Sequence, residues 1–170
     1  MTGARSGVDL NLHTRTHCTL GAVELWEVAA RLGIEDTIAR YARCADSGRS
    51  ADLAELFTED GVLAVDGNEL QGRAAITAFL EGNKVNLAAS TAGGGRIRHH
   101  VSSLRIDIAS PDEATATCYF LAITGAGPDH WGMYRDQFAR VGERWLFARR
   151  EAIPEGFAPG GWQGTSRASD

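Results

Sequence analysis

Two adjacent histidines, His99 and His100, could carry out proton transfer, and a β-strand would turn them to opposite faces. They lie in the stretch RIRHHVSSLRIDI, whose composition is typical of a strand. Its apolar residues have odd numbers as far as Val101 and even numbers from Leu104 onwards. One extra residue at the intervening serines, a β-bulge, would keep a single apolar face. We therefore predict that His99 points into the protein and that His100 points out.

An imidazole inside a pocket is a usable base, because the unperturbed pKa of histidine, about 6.5, lies close to neutral pH. General-base help of this kind contributes roughly 10²–10⁴-fold to a rate. A metal site built from both histidines is not expected, since strand neighbours face apart. The glycine-rich stretch TAGGG lacks the spacing of a phosphate-binding loop, and no lysine-bearing helix follows it. The sequence thus predicts chemistry without a cofactor.

Three helical segments precede the histidine strand. VELWEVAARLGIEDTIARYARCA places Ile34, Ile38, Tyr41 and Ala45 on one helical face, and Gly33 is the expected site of a break or kink. The turn formers of DSGRS end this helix. ADLAELF predicts a short second helix, GVLAV a short strand, and GRAAITAFLEGNKVNLAA a third helix.

Four strand-like stretches follow the helices, beginning with the histidine stretch and continuing as EATATCYFLAIT, HWGMYRDQFARV and RWLFARREAI. Short breaks typical of hairpins separate them. Helices followed by consecutive strands indicate the α+β class, with a curved antiparallel sheet holding the helices in its concave side. We expect one domain over residues 22–155, a polar tail over 1–21, and a Gly/Pro-rich tail over 156–170 that either closes a pocket or is loose.

Composition excludes several functional classes. The 170 residues carry a net charge of -5, which argues against a nucleic-acid partner. No apolar run has the length of a membrane span, and the N-terminal residues do not form a signal peptide. Cys18, Cys44 and Cys118 are too widely spaced for a disulfide framework or a zinc pattern. We therefore expect a cytoplasmic protein with a small-molecule substrate.

The order of several segments resembles the SnoaL-like branch of the nuclear-transport-factor-2-like superfamily. IARYARCADSGRSADLAELFTEDGVLAVDG is followed by GRAAITAFL, RHHVSS, GMYRDQF and RWLFARRE, so the resemblance covers most of the chain. It implies a cone-shaped α+β barrel, in which a strongly bent antiparallel sheet wraps around N-terminal helices and encloses a deep apolar pocket. The family includes polyketide cyclases, scytalone dehydratase and non-catalytic binding proteins, so the resemblance predicts the fold better than the reaction.

The resemblance also implies a hydrogen-bond partner for His99, the histidine predicted to point inward. In scytalone dehydratase and a related dehydrochlorinase, an aspartate at the place of Asp46 pairs with a histidine at the place of His99. Such a carboxylate would fix the tautomer of the ring and stabilise the imidazolium that forms. The alternative is that Asp46 only caps a turn and that His99 is a core residue with its hydrogen bonds satisfied.

Two residues of GMYRDQF are further candidates for substrate binding or catalysis. Tyr134 matches a polar pocket residue of scytalone dehydratase and could donate a hydrogen bond to a substrate oxygen, although core packing is an equal alternative. Asp136 could match a carboxylate that acts as acid or base in the polyketide cyclases. For Asp136 we favour the alternative, an ion pair with Arg149 or Arg150.

The remaining predicted substrate-binding residues come from four different segments. Cys118 stands where scytalone dehydratase has a second catalytic histidine, a departure that argues against the scytalone reaction itself. Tyr41 faces inward from the first helix, and Phe120 lies on the strand that carries Cys118. Trp162 lies in the C-terminal tail, where it could close the pocket.

These residues predict a cofactor-independent dehydratase, isomerase or cyclase with an Asp46–His99 dyad, acting on a small apolar, polyketide-like or aromatic substrate. The alternatives are a non-catalytic small-molecule-binding protein and the small structural subunit of an aromatic-ring dioxygenase. The outer face of the sheet, with Arg98 and His100, is expected to pack on another copy in a dimer or trimer. The substrate, and the choice between lyase, isomerase and cyclase, stay open.

Overall fold

The computed structural model describes residues 23–90 and 96–161, without the side chains of residues 84–90. The predicted tail over 1–21 and Trp162 therefore lie outside the described residues. The helices come first and the long strands follow, which confirms the α+β class. In chain order the elements are α1 (Leu25–Asp46), α2 (Ser50–Ala54), β1 (Phe57–Val65), β2 (Asn68–Gln71), α3 (Gly72–Ser90), β3 (Arg98–Ile108), β4 (Glu113–Thr124), β5 (Gly127–Val141) and β6 (Arg144–Phe157).

The strands form one six-stranded sheet in the order β2-β1-β6-β5-β4-β3. The last four strands form the antiparallel meander that the sequence predicts, but β1 pairs with β6 in parallel, so the sheet is mixed. Both β2 and β3 are edges, so the sheet is open and is not a closed barrel. The short strand β2 was not predicted, because NELQ lacks the β-branched and aromatic residues that mark strands. Within the described residues, no helix is long and apolar enough to cross a membrane.

Helix α1 begins with a reciprocal capping box between Glu24 and Glu27, which satisfies otherwise unpaired backbone N–H groups. It buries the predicted face and runs through Gly33 without the expected break. The glycine is needed for close packing, because a Cβ atom there would lie 2.9 Å from Cδ1 of Trp145. Thr37 adds a 2.6 Å hydrogen bond to the backbone carbonyl of Trp145. These contacts place the last turn of α1, with Asp46, against the concave side of the sheet.

The predicted bulge in β3 is confirmed. Ser102 pairs with Tyr119 and Arg105 pairs with Thr117, so two residues of β3 oppose one residue of β4. Ser103 has φ of 53°, a left-handed conformation that serine rarely adopts. The strand thereby keeps one inward face on both sides of the bulge. His99 lies in that face and is half-buried, whereas His100 is exposed.

Beneath the concave surface lies a core that is rich in aromatic rings. Ile34 of α1 and the rings of Phe57 and Phe147 have no exposed surface. Helix α1 contacts β3 and β6, and α3 contacts β1. In α3, Ile76 has no exposed surface. Helices on one side of the sheet leave room for a cavity between α1, α3 and the strands.

Candidate active site

A cavity of about 180 Å³ opens between the helices and the concave face of the sheet. Helices α1 and α3 both contribute to its wall. Most of the lining is apolar, which favours an apolar ligand and strengthens any electrostatic interaction inside. No cluster of three or more His, Cys, Asp or Glu side chains that could hold a metal ion occurs in the described part of the chain. Apolar lining residues include Leu53, Leu63, Phe79, Leu80, Ile97 and Phe157.

His99 lines this cavity and is paired with Asp46, which does not line it. The Nδ1 atom of His99 lies 2.8 Å from Oδ1 of Asp46, and the backbone N–H of His99 donates to the same oxygen at 3.0 Å. Because an ionised carboxylate only accepts hydrogen bonds, Nδ1 carries the proton and Nε2 is the basic nitrogen of the neutral ring. The side chain of Asp46 is 12% exposed and that of His99 is 15% exposed, so the pair is largely shielded from solvent while His99 reaches the cavity. Asp46 therefore does more than cap a turn.

Two tyrosines also line the cavity. Tyr41 and Tyr134 are both buried, and their rings meet edge to face with centres 6.1 Å apart. Burial raises the pKa of both phenols, against the opposing effect of the Arg150 guanidinium. Both hydroxyl groups therefore stay protonated at neutral pH and are suited to donate hydrogen bonds. Phe120 also lines the cavity and stacks on Tyr134 at 4.6 Å between ring centres.

Asp136 is engaged in a closed ion pair with Arg150. Nε and Nη2 of Arg150 donate to the two carboxylate oxygens at 2.8 and 2.7 Å, and neither side chain has exposed surface. The guanidinium lies between Tyr41 and Tyr134, 4.2 and 4.1 Å from their ring centres. Asp136 does not line the described cavity, so the ion pair that we favoured from sequence accounts for this residue better than substrate binding.

Cys118 is a core residue. It is 2% exposed, pairs in register with Tyr134, and does not line the described part of the cavity. Burial raises the pKa of its thiol to about 11, so the thiolate is not populated at neutral pH. The structure thus does not place Cys118 with the other predicted substrate-binding residues, because its side chain packs in the hydrophobic core.

A second imidazole, which the sequence reasoning missed, also lines the cavity. His130 of β5 has its Nδ1 atom 2.8 Å from Oδ2 of Asp129, and its ring centre lies 6.2 Å from that of His99. The cavity therefore has a second imidazole, although Cys118 stands at the place of the second histidine of scytalone dehydratase. His130 shares parity with Tyr134, which could have revealed its inward direction. The inward direction of Asp129 could not have been predicted from the sequence. It depends on a second bulge, between the pairs Ala122–His130 and Ile123–Pro128.

Comparison with known proteins supports this architecture. A family model described as a SnoaL-like domain matches residues 26–151. A search of curated proteins gave no significant match. The chain is similar to the solved structure of an NTF2-like protein with a cystatin-like fold from Novosphingobium aromaticivorans. The two are 32% identical over 77% of this chain and 90% of that chain, with a TM-score of 0.61.

Two further solved structures are similar to the chain. One is a protein from Novosphingobium aromaticivorans provisionally assigned as a scytalone dehydratase, with 28% identity, 78% and 89% coverage, and a TM-score of 0.66. The other is ActVI-ORFA from Streptomyces coelicolor, with 23% identity, 78% and 99% coverage, and a TM-score of 0.64, a likeness in fold alone. Because the family model spans α1 to β6, which is most of the sequence, the chain belongs to the SnoaL-like domain family.

Proposed function

We propose that this protein is a cofactor-independent enzyme that removes a proton from a small, largely apolar substrate bearing a carbonyl group or an aromatic ring. His99 is the base and Asp46 orients it. The observation that carries the proposal is the 2.8 Å contact between Nδ1 of His99 and the Asp46 carboxylate at the wall of an apolar cavity. Dehydration, double-bond isomerisation and ring closure all begin with this step.

The geometry supports a simple sequence of events. Nε2 of His99 takes a proton from a carbon next to an electron-withdrawing group, and the electron pair of that bond moves onto the substrate oxygen as an enolate. Asp46 stabilises the imidazolium cation through the Nδ1–H bond that already exists. Tyr134 and Tyr41 stay protonated and can donate a hydrogen bond to the developing oxyanion.

The dehydratase outcome has one further source of support. The similar structure from Novosphingobium aromaticivorans is provisionally assigned as a scytalone dehydratase, and it is 28% identical to this chain. An apolar cavity also suits a protein that binds a small molecule without changing it. The two candidates differ in whether a bound ligand loses a proton.

Deuterium exchange tests the first chemical step without knowledge of the true substrate. In deuterated buffer, we expect the wild-type protein to accelerate exchange of the acidic C–H protons of β-tetralone, followed by NMR. His99→Gln should lower the protein-dependent rate by roughly 10²–10⁴-fold. The matched control is His100→Gln, because His100 is the exposed neighbour on the opposite face of β3. Binding of tetralone without accelerated exchange would favour the binding protein, whereas accelerated exchange that is equal in His99→Gln would exclude His99 as the base.

A further inference from the structure

The buried ion pair of Asp136 and Arg150 includes a donor without an acceptor. Nε and Nη2 of Arg150 donate to Asp136, but Nη1, although enclosed by protein, has no acceptor in hydrogen-bonding geometry within the described residues. A buried donor without an acceptor destabilises a fold, and two apolar side chains of similar size often stabilise a core as well as an ion pair does. Stability alone therefore does not explain why a charged pair lies in this core.

The guanidinium of Arg150 faces aromatic rings. Its central carbon, Cζ, lies 4.2 Å from the ring centre of Tyr41, 4.1 Å from that of Tyr134 and 4.3 Å from that of Phe147. A cation is attracted to the electron-rich face of such a ring, which accounts for a nitrogen that meets no oxygen acceptor. Tyr41 and Tyr134 line the cavity, whereas Arg150 does not line its described part. The cation therefore acts on the cavity through the two tyrosines that it contacts.

The ion pair turns its positive end towards both tyrosines. Burial raises the pKa of each phenol, and the positive charge of Arg150 lowers it by more than the negative charge of Asp136 raises it. Cys118 of β4 adds no charge at neutral pH, because burial raises the pKa of its thiol to about 11. A phenol next to a positive charge is a stronger hydrogen-bond donor, because the charge stabilises the electron-rich oxygen that donation leaves behind.

We propose that Arg150 is a positioning residue that acts through Tyr41 and Tyr134 and strengthens both hydroxyl groups as donors to a negatively charged oxygen in the cavity. Asp136 allows this cation to stay buried. The inference rests on the function proposed above, because proton abstraction by His99 creates such an oxygen on the substrate. It predicts that the cavity favours a ligand with negative charge on oxygen over the neutral form of the same ligand.

Ionisation of 2-naphthol bound to the full chain tests this inference. 2-Naphthol has the carbon skeleton of β-tetralone, and its hydroxyl group becomes an oxyanion at alkaline pH, which is followed by absorbance. We expect the pKa of the bound ligand to be about one unit lower in wild-type protein than in Asp136→Leu/Arg150→Met, which removes both charges. A nearby positive charge lowers the pKa of an acid by about 1–3 units, and the negative charge of Asp136 offsets part of this effect. An equal pKa in both proteins would overturn the inference.

Three further variants separate action through the hydroxyl groups from packing. Tyr41→Phe/Tyr134→Phe keeps the rings and the ion pair and should raise the pKa of bound 2-naphthol at least as much as the loss of both charges. Arg150→Lys keeps a positive charge and should retain most of the lowering. Phe147→Leu is the matched control, because it removes a ring that packs on Arg150 but no hydroxyl group and no charge, and it should leave the pKa unchanged.

Two results with these variants would also overturn the inference. One is an unchanged pKa of bound 2-naphthol in Tyr41→Phe/Tyr134→Phe, which retains the ion pair and so serves even if the charge-free variant does not fold. The other is a shift in Phe147→Leu as large as that in the charge-free variant. Because 2-naphthol loses its proton from oxygen, the measurement does not depend on exchange at carbon. A protein that lowers the pKa of bound 2-naphthol through Arg150 but does not accelerate tetralone exchange would contradict only the proposed function.

Discussion

The molecule contains two differently built regions, each with an inward aspartate and a basic partner. In the sealed region, Asp136 and Arg150 form two hydrogen bonds, have no exposed surface and lie among aromatic rings. In the cavity region, Asp46 bonds His99, and both side chains keep some exposure. Burial by itself lowers the pKa of Arg150, but Asp136 raises it above the ordinary value, so the guanidinium cannot exchange protons. The comparison teaches that cavity access and a partner that can lose its charge distinguish a reactive pair from a structural one.

The largest effect on stability is expected in the sealed region. Asp136→Ala would leave the Arg150 cation buried without a counter-charge, which costs about 3–5 kcal/mol of folding free energy. Replacing both partners, as in Asp136→Leu/Arg150→Met, should cost far less, because two apolar side chains leave no unpaired charge. Urea denaturation measures both values. A double variant as unstable as Asp136→Ala would show that the shape of the two side chains, and not their charge, determines the stability of the sealed region.

The next largest effect is expected in the cavity region, where a fall in pH should lower the stability of the folded protein. The pKa of His130 is lowered in the folded protein, mainly by burial, so the unfolded chain binds this proton more readily. Stability should therefore fall as pH decreases below about 6.5, the ordinary histidine value, and should level off below the folded-state pKa. His130→Gln should reduce this slope in the free energy of unfolding.

His100→Gln is the matched control for that experiment, because His100 is exposed and its substitution should leave the slope unchanged. An unchanged slope in His130→Gln would mean that burial does not keep the His130 ring neutral.

The smallest effect, a change in the rate of tetralone exchange, is expected at the boundary between the sealed region and the cavity region. Tyr134 lines the cavity and also packs on Arg150, 4.1 Å from its ring centre. Tyr134→Phe keeps the packing and removes the donor, and water in the cavity can replace part of the lost hydrogen bond. We expect the rate of tetralone exchange to fall by about tenfold or less. A loss as large as that of His99→Gln would make Tyr134 a principal catalytic group.

Local sequence patterns were sufficient to predict part of the fold and part of the candidate site. The parity of the apolar residues around Val101 predicted the bulge and the inward His99, because strand alternation is a local property. The resemblance predicted Asp46 as its partner, and the structure brings the two together. Alternation could not reveal Asp129, because a bulge reverses the direction that its number implies.

Long-range pairing explains the other differences. Whether Asp136 pairs with Arg149 or Arg150 depends on the register shift between Gln137–Arg149 and Phe138–Phe147, which no short stretch of sequence encodes. The structure turns Arg149 outward to Glu69, at 2.7 Å, and Arg150 inward. The parallel pairing of β1 with β6 joins residues far apart in sequence and was missed for the same reason. The predicted dimer or trimer stays a prediction.

A double-mutant cycle on deuterium exchange tests most directly whether Asp46 and His99 act as one unit. The protein-dependent exchange rate of β-tetralone is measured for wild type, Asp46→Asn, His99→Gln and the double variant, each checked for its folded state by circular dichroism. We expect each single variant to lose roughly 10²-fold or more, and the double variant to lose little beyond His99→Gln, because groups that act together share one loss. Losses that multiply in the double variant, or near-normal exchange in either single variant, would contradict the account.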